Sequence, residues 1–125
     1  MKIFISTVGK THHEFLASLV APGVATGDQV QTLFQFAKQQ DFVYPAVNVA
    51  GSNSINATLE AAQKTGSPVI VQLSYNDSAF FIRQGLQLGT HKNSILSARY
   101  IHTVADAYGI PVVLHTDHAA KNLLP

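Results

Sequence analysis

The tetrad His115-Thr116-Asp117-His118 brings two imidazoles and a carboxylate together near the end of the sequence. Those side chains support two kinds of chemistry. A neutral imidazole nitrogen ligates a divalent metal, and a positioned carboxyl or imidazole passes a proton to or from a reacting oxygen. A catalytic zinc takes three protein ligands and keeps one position open, so a single histidine is not a site. In an extended chain His115 and Asp117 share a face while His118 points the other way. A turn after Asp117 is therefore needed to aim Asp117 and His118 at one substrate. The same spacing also fits a hydrogen-bonded core histidine followed by a surface residue, and spacing alone leaves both readings standing.

Two other polar groups occupy matching places. Asn48 and Ser74 each follow a short apolar run, where they could hydrogen-bond a substrate hydroxyl or phosphate, although a polar strand terminus is also ordinary. Gln72 falls on the same alternation as Ile70 and Ser74, a polar group with a buried neighbour that needs a partner in either reading. Asp28 reads as a helix cap and Glu60 as a solvated helix position. Lys121 lies close enough to the tetrad to meet a phosphate but equally suits solvent. His12-His13 has no third ligand in view, and His102 falls on an apolar helical stripe, as a core or interface residue.

The elements that must position these groups follow one grammar: a helical pattern, a break, a proline and a run of β-formers. The three runs are 45-PAVNVAGSNS, 68-PVIVQLSYND and 111-PVVLHTDHAA. Proline lacks the N–H an interior ladder needs, so each strand is expected to begin there. Val69-Ile70-Val71 and Val112-Val113-Leu114 are apolar on both faces, as parallel strands covered on both sides require. One helix is expected from a cap at Asp28 through Val30, Leu33, Phe34 and Ala37. A second runs from about Ser52 or Asn53 through Ile55, Leu59 and Ala62 to Gly66. A third runs from about Asn93 or Ser94 through Ile95, Ala98, Ile101, His102 and Ala105 to Gly109. Residues 78–83 suit a short helix, and 85–93 an exposed loop carrying His91.

Strand–helix–strand alternation predicts right-handed crossovers and a parallel sheet, either open and doubly wound or closed as a (β/α)8 barrel. Ala50-Gly51-Ser52-Asn53-Ser54 follows the first strand in place of a G-x-G-x-x-G turn, which removes support for dinucleotide binding. In a barrel, function sits at the carboxyl ends of the strands, where Asn48, Ser74 and the tetrad fall. A barrel takes roughly 250 residues, so three strands in 125 residues are an incomplete one.

Composition bounds the partners. With 46% hydrophobic residues, 12% charged and a formal net charge of +1, neither general disorder nor an electrostatic grip on nucleic acid or an anionic membrane is expected. There are no cysteines, hence no disulfide framework and no thiolate metal site. No run of about 18 apolar residues occurs, and the opening MKIFISTVGK is too short in its apolar stretch for a secretory signal, so a soluble cytoplasmic protein is the expectation.

The ordered segments PGVATGDQVQTLFQFAKQQDFVYPAVNV, SNSINATLEAAQKTGSPVIVQLS and YGIPVVLHTDHAAKNLLP resemble the N-terminal part of a class II, zinc-dependent fructose-1,6-bisphosphate aldolase of the longer subtype found in bacteria and fungi. The resemblance covers residues 21–125, leaving 1–20 as a poorly matching extension. It implies a (β/α)8 barrel, a homodimer when full length, and reversible cleavage of fructose 1,6-bisphosphate to dihydroxyacetone phosphate and glyceraldehyde 3-phosphate in glycolysis and gluconeogenesis. It also implies Asp117 as catalytic proton donor, His118 as a zinc ligand, Ser74 on the glyceraldehyde phosphate portion and Asn48 holding the substrate. Where such aldolases usually carry Asn-Gly-Gly, this sequence has Tyr75-Asn76-Asp77, and in place of Cys-Ala-Lys-Lys it has Ala119-Ala120-Lys121-Asn122. The remaining zinc ligands, the catalytic base and the phosphate loop of such enzymes are expected to lie beyond residue 125, so these 125 residues alone are expected to be inactive. Alternatives are a tagatose-bisphosphate aldolase of the same family, or a non-catalytic α/β fragment that binds a partner or sugar phosphate and exposes a sheet edge.

Overall fold

A computed structural model describes residues 18–82 and 90–118. Four parallel strands, β1 (Gly23–Ala25), β2 (Ala46–Asn48), β3 (Val69–Ser74) and β4 (Pro111–Asp117), form one sheet in the order β1-β4-β3-β2. Helix α1 (Asp28–Gln39) precedes β2, α2 (Ser52–Thr65) joins β2 to β3, and α3 (Tyr75–Ile82) and α4 (Thr90–Val104) lie between β3 and β4. A 3-10 turn at Ala105–Tyr108 leads α4 into β4. The three expected strands are therefore neighbours in chain order. Strand β1 is an addition, pairing Gly23, Val24 and Ala25 with Pro111, Val112 and Val113 on the far edge of β4. Three residues carry no readable periodicity, so only the tertiary pairing reveals it.

The punctuation works as the residue types dictate. Pro45 and Pro68 stand immediately before β2 and β3, and Pro111 is the first residue of β4. The Ile70 N–H donates to the Pro45 carbonyl at 3.0 Å, so the proline still contributes its acceptor. Helix α2 ends on Gly66 at φ 63° and the 3-10 turn on Gly109 at φ 68°, left-handed positions where a Cβ is strained.

Several expected details shift. Asp28 is the first helical residue of α1 rather than its cap; Gly27, at φ 52°, takes the cap position, and Asp28 complements the helix dipole from the first turn. Helix α3 starts at Tyr75, directly after β3, and α4 starts at Thr90, so the backbone of 90–93 is helical rather than part of a loop. His102 is exposed on this chain, which takes it out of the core. Phe34 and Ile95 are also exposed, at 41% and 50%, because α1 and α4 each bury a narrower stripe than their sequence offers.

Side chains alternate across the sheet into two clusters. Val69, Val71, Leu73 and Val112 meet Ile55, Leu59 and Ala62 of α2, Ile101 of α4 and Ala105 on one face. Ile70 and Val113 point to the opposite face and pack with Leu33 and Ala37 of α1 and with Tyr44. Burying each such Leu, Ile or Val contributes about 1.5–3 kcal/mol. Helix α1 covers the face only at its apolar positions. Further along, Gln72, Ser74, His115 and Asp117 keep step with Ile70 and Val113, so the carboxyl ends of the strands present polar groups there.

Candidate functional site at the carboxyl ends of the strands

Register assembles this polar surface. Asn48 is opposite Gln72, Gln72 is opposite His115, and Ser74 is opposite Asp117. Adjacent strands lie about 4.8 Å apart, so Asn48, Gln72 and His115 form one row across the sheet and Ser74 and Asp117 the next.

Asp117 is the best-held member. The Gln72 Nε2 donates to Asp117 Oδ2 at 2.6 Å, which orients the carboxylate from the neighbouring strand. Asp117 retains 25% side-chain exposure and thus remains accessible to a ligand. The turn anticipated after it is real: β4 stops at Asp117 and His118 adopts φ 52°. A non-glycine residue in the left-handed region is uncommon and histidine is among the types that tolerate it. The turn brings His118 Nε2 to 3.4 Å from Asp117 Oδ2 while its side chain stays 84% exposed.

Ser74 is buried and caps α3. The Asp77 N–H donates to Ser74 Oγ at 3.0 Å, and the Ser74 hydroxyl donates to Asp77 Oδ2 at 2.5 Å. The adjoining turn is fixed by another serine: the N–H groups of Ala50 and Gly51 donate to Ser54 Oγ at 3.0 and 3.1 Å, tying the residues after Asn48 to the start of α2. Asn48 itself is exposed on the edge strand.

Asp117, His118 and Ser74 therefore gather at two adjacent strand ends, with Asn48 on the third. His115 is exposed, so it is not the core histidine that spacing also allowed. His12, His13 and Lys121 lie outside the described residues, as does the side chain of His91. Two participants were not assigned roles from the sequence. Gln72 had a detectable signal, a polar residue on an otherwise apolar strand, but its partner lies 45 residues away. Asp77 carried the Ser-x-x-Asp spacing of a helix start, which only becomes visible once α3 is known to begin at Tyr75.

His118 suits a metal by donor type and exposure. Among the described residues, however, no three His, Cys, Asp or Glu side chains cluster to hold an ion. Nor is any described helix long and apolar enough to cross a membrane.

The family model described as "Fructose-bisphosphate aldolase class-II" matches residues 28–124. A fructose-bisphosphate aldolase of Haemophilus influenzae is 48% identical over 115 residues, spanning 88% of this chain and 32% of the relative. The class 2 fructose-bisphosphate aldolase of Escherichia coli is 48% identical over 111 residues, spanning 85% and 31%. The crystal structure of a Campylobacter jejuni fructose-bisphosphate aldolase superposes with a TM-score of 0.81 at 46% identity, covering 87% of this chain and 31% of that one. The chain spans about a third of the length of the curated relatives it matches.

Proposed function

The chain belongs to the class II fructose-bisphosphate aldolase family and forms part of its barrel, and on that premise we propose that it is the N-terminal part of an enzyme that reversibly cleaves fructose 1,6-bisphosphate to dihydroxyacetone phosphate and glyceraldehyde 3-phosphate. The observation that carries this reading is Asp117, aimed by Gln72 at a strand carboxyl end and in register with Ser74.

Asp117 is the proton donor. In the cleavage direction an oxygen that begins as a hydroxyl becomes the aldehyde carbonyl, and in condensation that carbonyl oxygen must gain a proton. A carboxyl group at hydrogen-bond reach of that oxygen serves both directions. Ser74 holds the aldehyde-derived portion, and Asn48, one strand over and exposed, holds the rest of the substrate. His118 would contribute one nitrogen to a zinc, and among the described residues no three such donors cluster to complete its set. Bound zinc supplies Lewis-acid polarisation of a carbonyl oxygen. Cytoplasmic location, a homodimer and a role in glycolysis and gluconeogenesis belong to the same reading.

In the full-length parent, Asp117→Asn is expected to lower kcat for cleavage by about 10²–10⁴-fold with zinc content unchanged, and chelation is expected to abolish turnover. Activity that survives chelation and is trapped by borohydride as a covalent lysine adduct overturns the reading.

A further inference from the structure

Strand β2 is paired on one side only. It ends the sheet order β1-β4-β3-β2, and no strand lies beyond it among the described residues. The Ile70 N–H donates to the Pro45 carbonyl at 3.0 Å and the Val49 N–H to the Gln72 carbonyl at 3.1 Å, so the backbone groups of the odd-numbered residues here face β3. Those of Ala46 and Asn48 therefore point to the free side. A row of open donors and acceptors is a template for another strand. Pro45 does not guard it, because its missing N–H falls on the β3 side.

Beside this edge the face toward α2 is also unfilled. A groove of about 480 Å³ runs between β2 and α2, lined by Pro45, Val47 and Val69 and by Ala57, Ala61 and Thr65 of the helix. None of its lining residues is charged. Ala57, Ala61 and Thr65 follow at four-residue steps, and both alanines are exposed, so another helix can come close along this row. Val43, two residues ahead of Pro45, is 88% exposed and adds apolar surface next to the strand.

Edge and groove together call for a strand with a helix beside it, and β2 with α2 is such a unit. A twofold axis normal to the sheet sets a second β2 antiparallel to the first and keeps both copies of α2 on one face, each filling the other's groove. The charges on α2 suit that arrangement. Glu60 and Lys64 lie 3.6 Å apart, with side chains 60% and 72% exposed. With the axis passing the middle of the 57–65 row, Glu60 of one copy comes opposite Lys64 of the other, an attraction in place of a like-charge contact. The formal net charge of +1 sets little repulsion between copies.

We propose that the free edge of β2 and the groove beside it form a docking surface for a second copy of the 125-residue chain, joining two four-stranded sheets across a twofold axis. Closing a barrel abolishes such an edge, so the contact belongs to this chain by itself and stands or falls independently of the aldolase reading.

Sedimentation velocity over a protein concentration series tests it. The native chain is expected to reach twice the mass of one copy. Ala46→Pro removes an N–H on the free side and leaves the β3 ladder intact, while Ala61→Arg puts a long charged side chain into the groove. Each is expected to weaken the dimer by about tenfold or more. Circular dichroism shows whether each stays folded, and Ala61→Arg, at an exposed helix position, decides the matter where Ala46→Pro does not fold. Lys64→Glu and Glu60→Lys are each expected to weaken self-association roughly fivefold, and an equimolar mixture of the two to restore it. A chain that stays monomeric throughout overturns the proposal, as does one that associates only with the remainder of a family barrel supplied in trans. A dimer that the variants leave unchanged, or a mixture that restores nothing, also overturns it.

Discussion

A general acid works only if its proton points at the reacting oxygen, and in the proposed role of proton donor Asp117 would take its aim from the Gln72 amide 2.6 Å away. Gln72→Ala frees the carboxylate to rotate without removing it. In the full-length parent kcat is expected to fall roughly tenfold to a hundredfold with KM little changed, a split that distinguishes lost positioning from lost binding. Tyr44 offers a test of stability. Its hydroxyl is buried with no hydrogen-bond partner among the described residues, and burial raises its pKa above the ordinary 10.0. The folded chain thus keeps this proton beyond the pH at which the unfolded chain loses it. The associated stability is intact below about pH 10 and is lost as pH rises through the folded pKa. Tyr44→Phe is expected to be neutral or stabilising by up to about 1 kcal/mol, and to flatten that alkaline loss in thermal melts at about pH 8 and pH 10.5.

Elements were legible where local chemistry decides them. The prolines before or at the start of the strands, the glycine stops at Gly66 and Gly109, and the Ile55–Leu59–Ala62 stripe all do in the fold what their residue types require. Phe34, Ile95 and His102 show where this ends. Helical periodicity says that a face exists, but exposure depends on how far the neighbouring sheet extends beneath it. Leu59, fully buried between α2 and the sheet, is expected to lose about 2–5 kcal/mol on Leu59→Ala. Gly109→Ala, at φ 68° with no neighbouring atom in the way, should cost only about 1–2 kcal/mol, from backbone strain alone. Urea denaturation of both variants checks the contrast; equal losses would mean that the core contact or the turn is misassigned.

At the scale of the molecule, the sheet order decides what the strand ends share. Strands β2, β3 and β4 adjoin in sequence order, so each polar terminus faces its successor across one ladder spacing. No three donors converge among the described residues, so the 125-residue chain by itself is expected to bind zinc weakly and show no cleavage of fructose 1,6-bisphosphate. Calorimetric zinc titration and a coupled cleavage assay check both, and measured turnover would refute the second. The sequence by itself determined the parallel α/β class, three of the four strands, the helices between them and the types of the reactive side chains, because proline, glycine and hydrophobic period act through neighbours in the chain. Only the tertiary structure decided that β1 seals the lower edge of β4, that Gln72 holds Asp117, that His118 turns back through a positive φ, and that Asp77 takes the Ser74 proton. Strand pairing and register set the first two contacts, and backbone angles at the ends of β4 and β3 set the others; residue types along a chain do not encode either one by one.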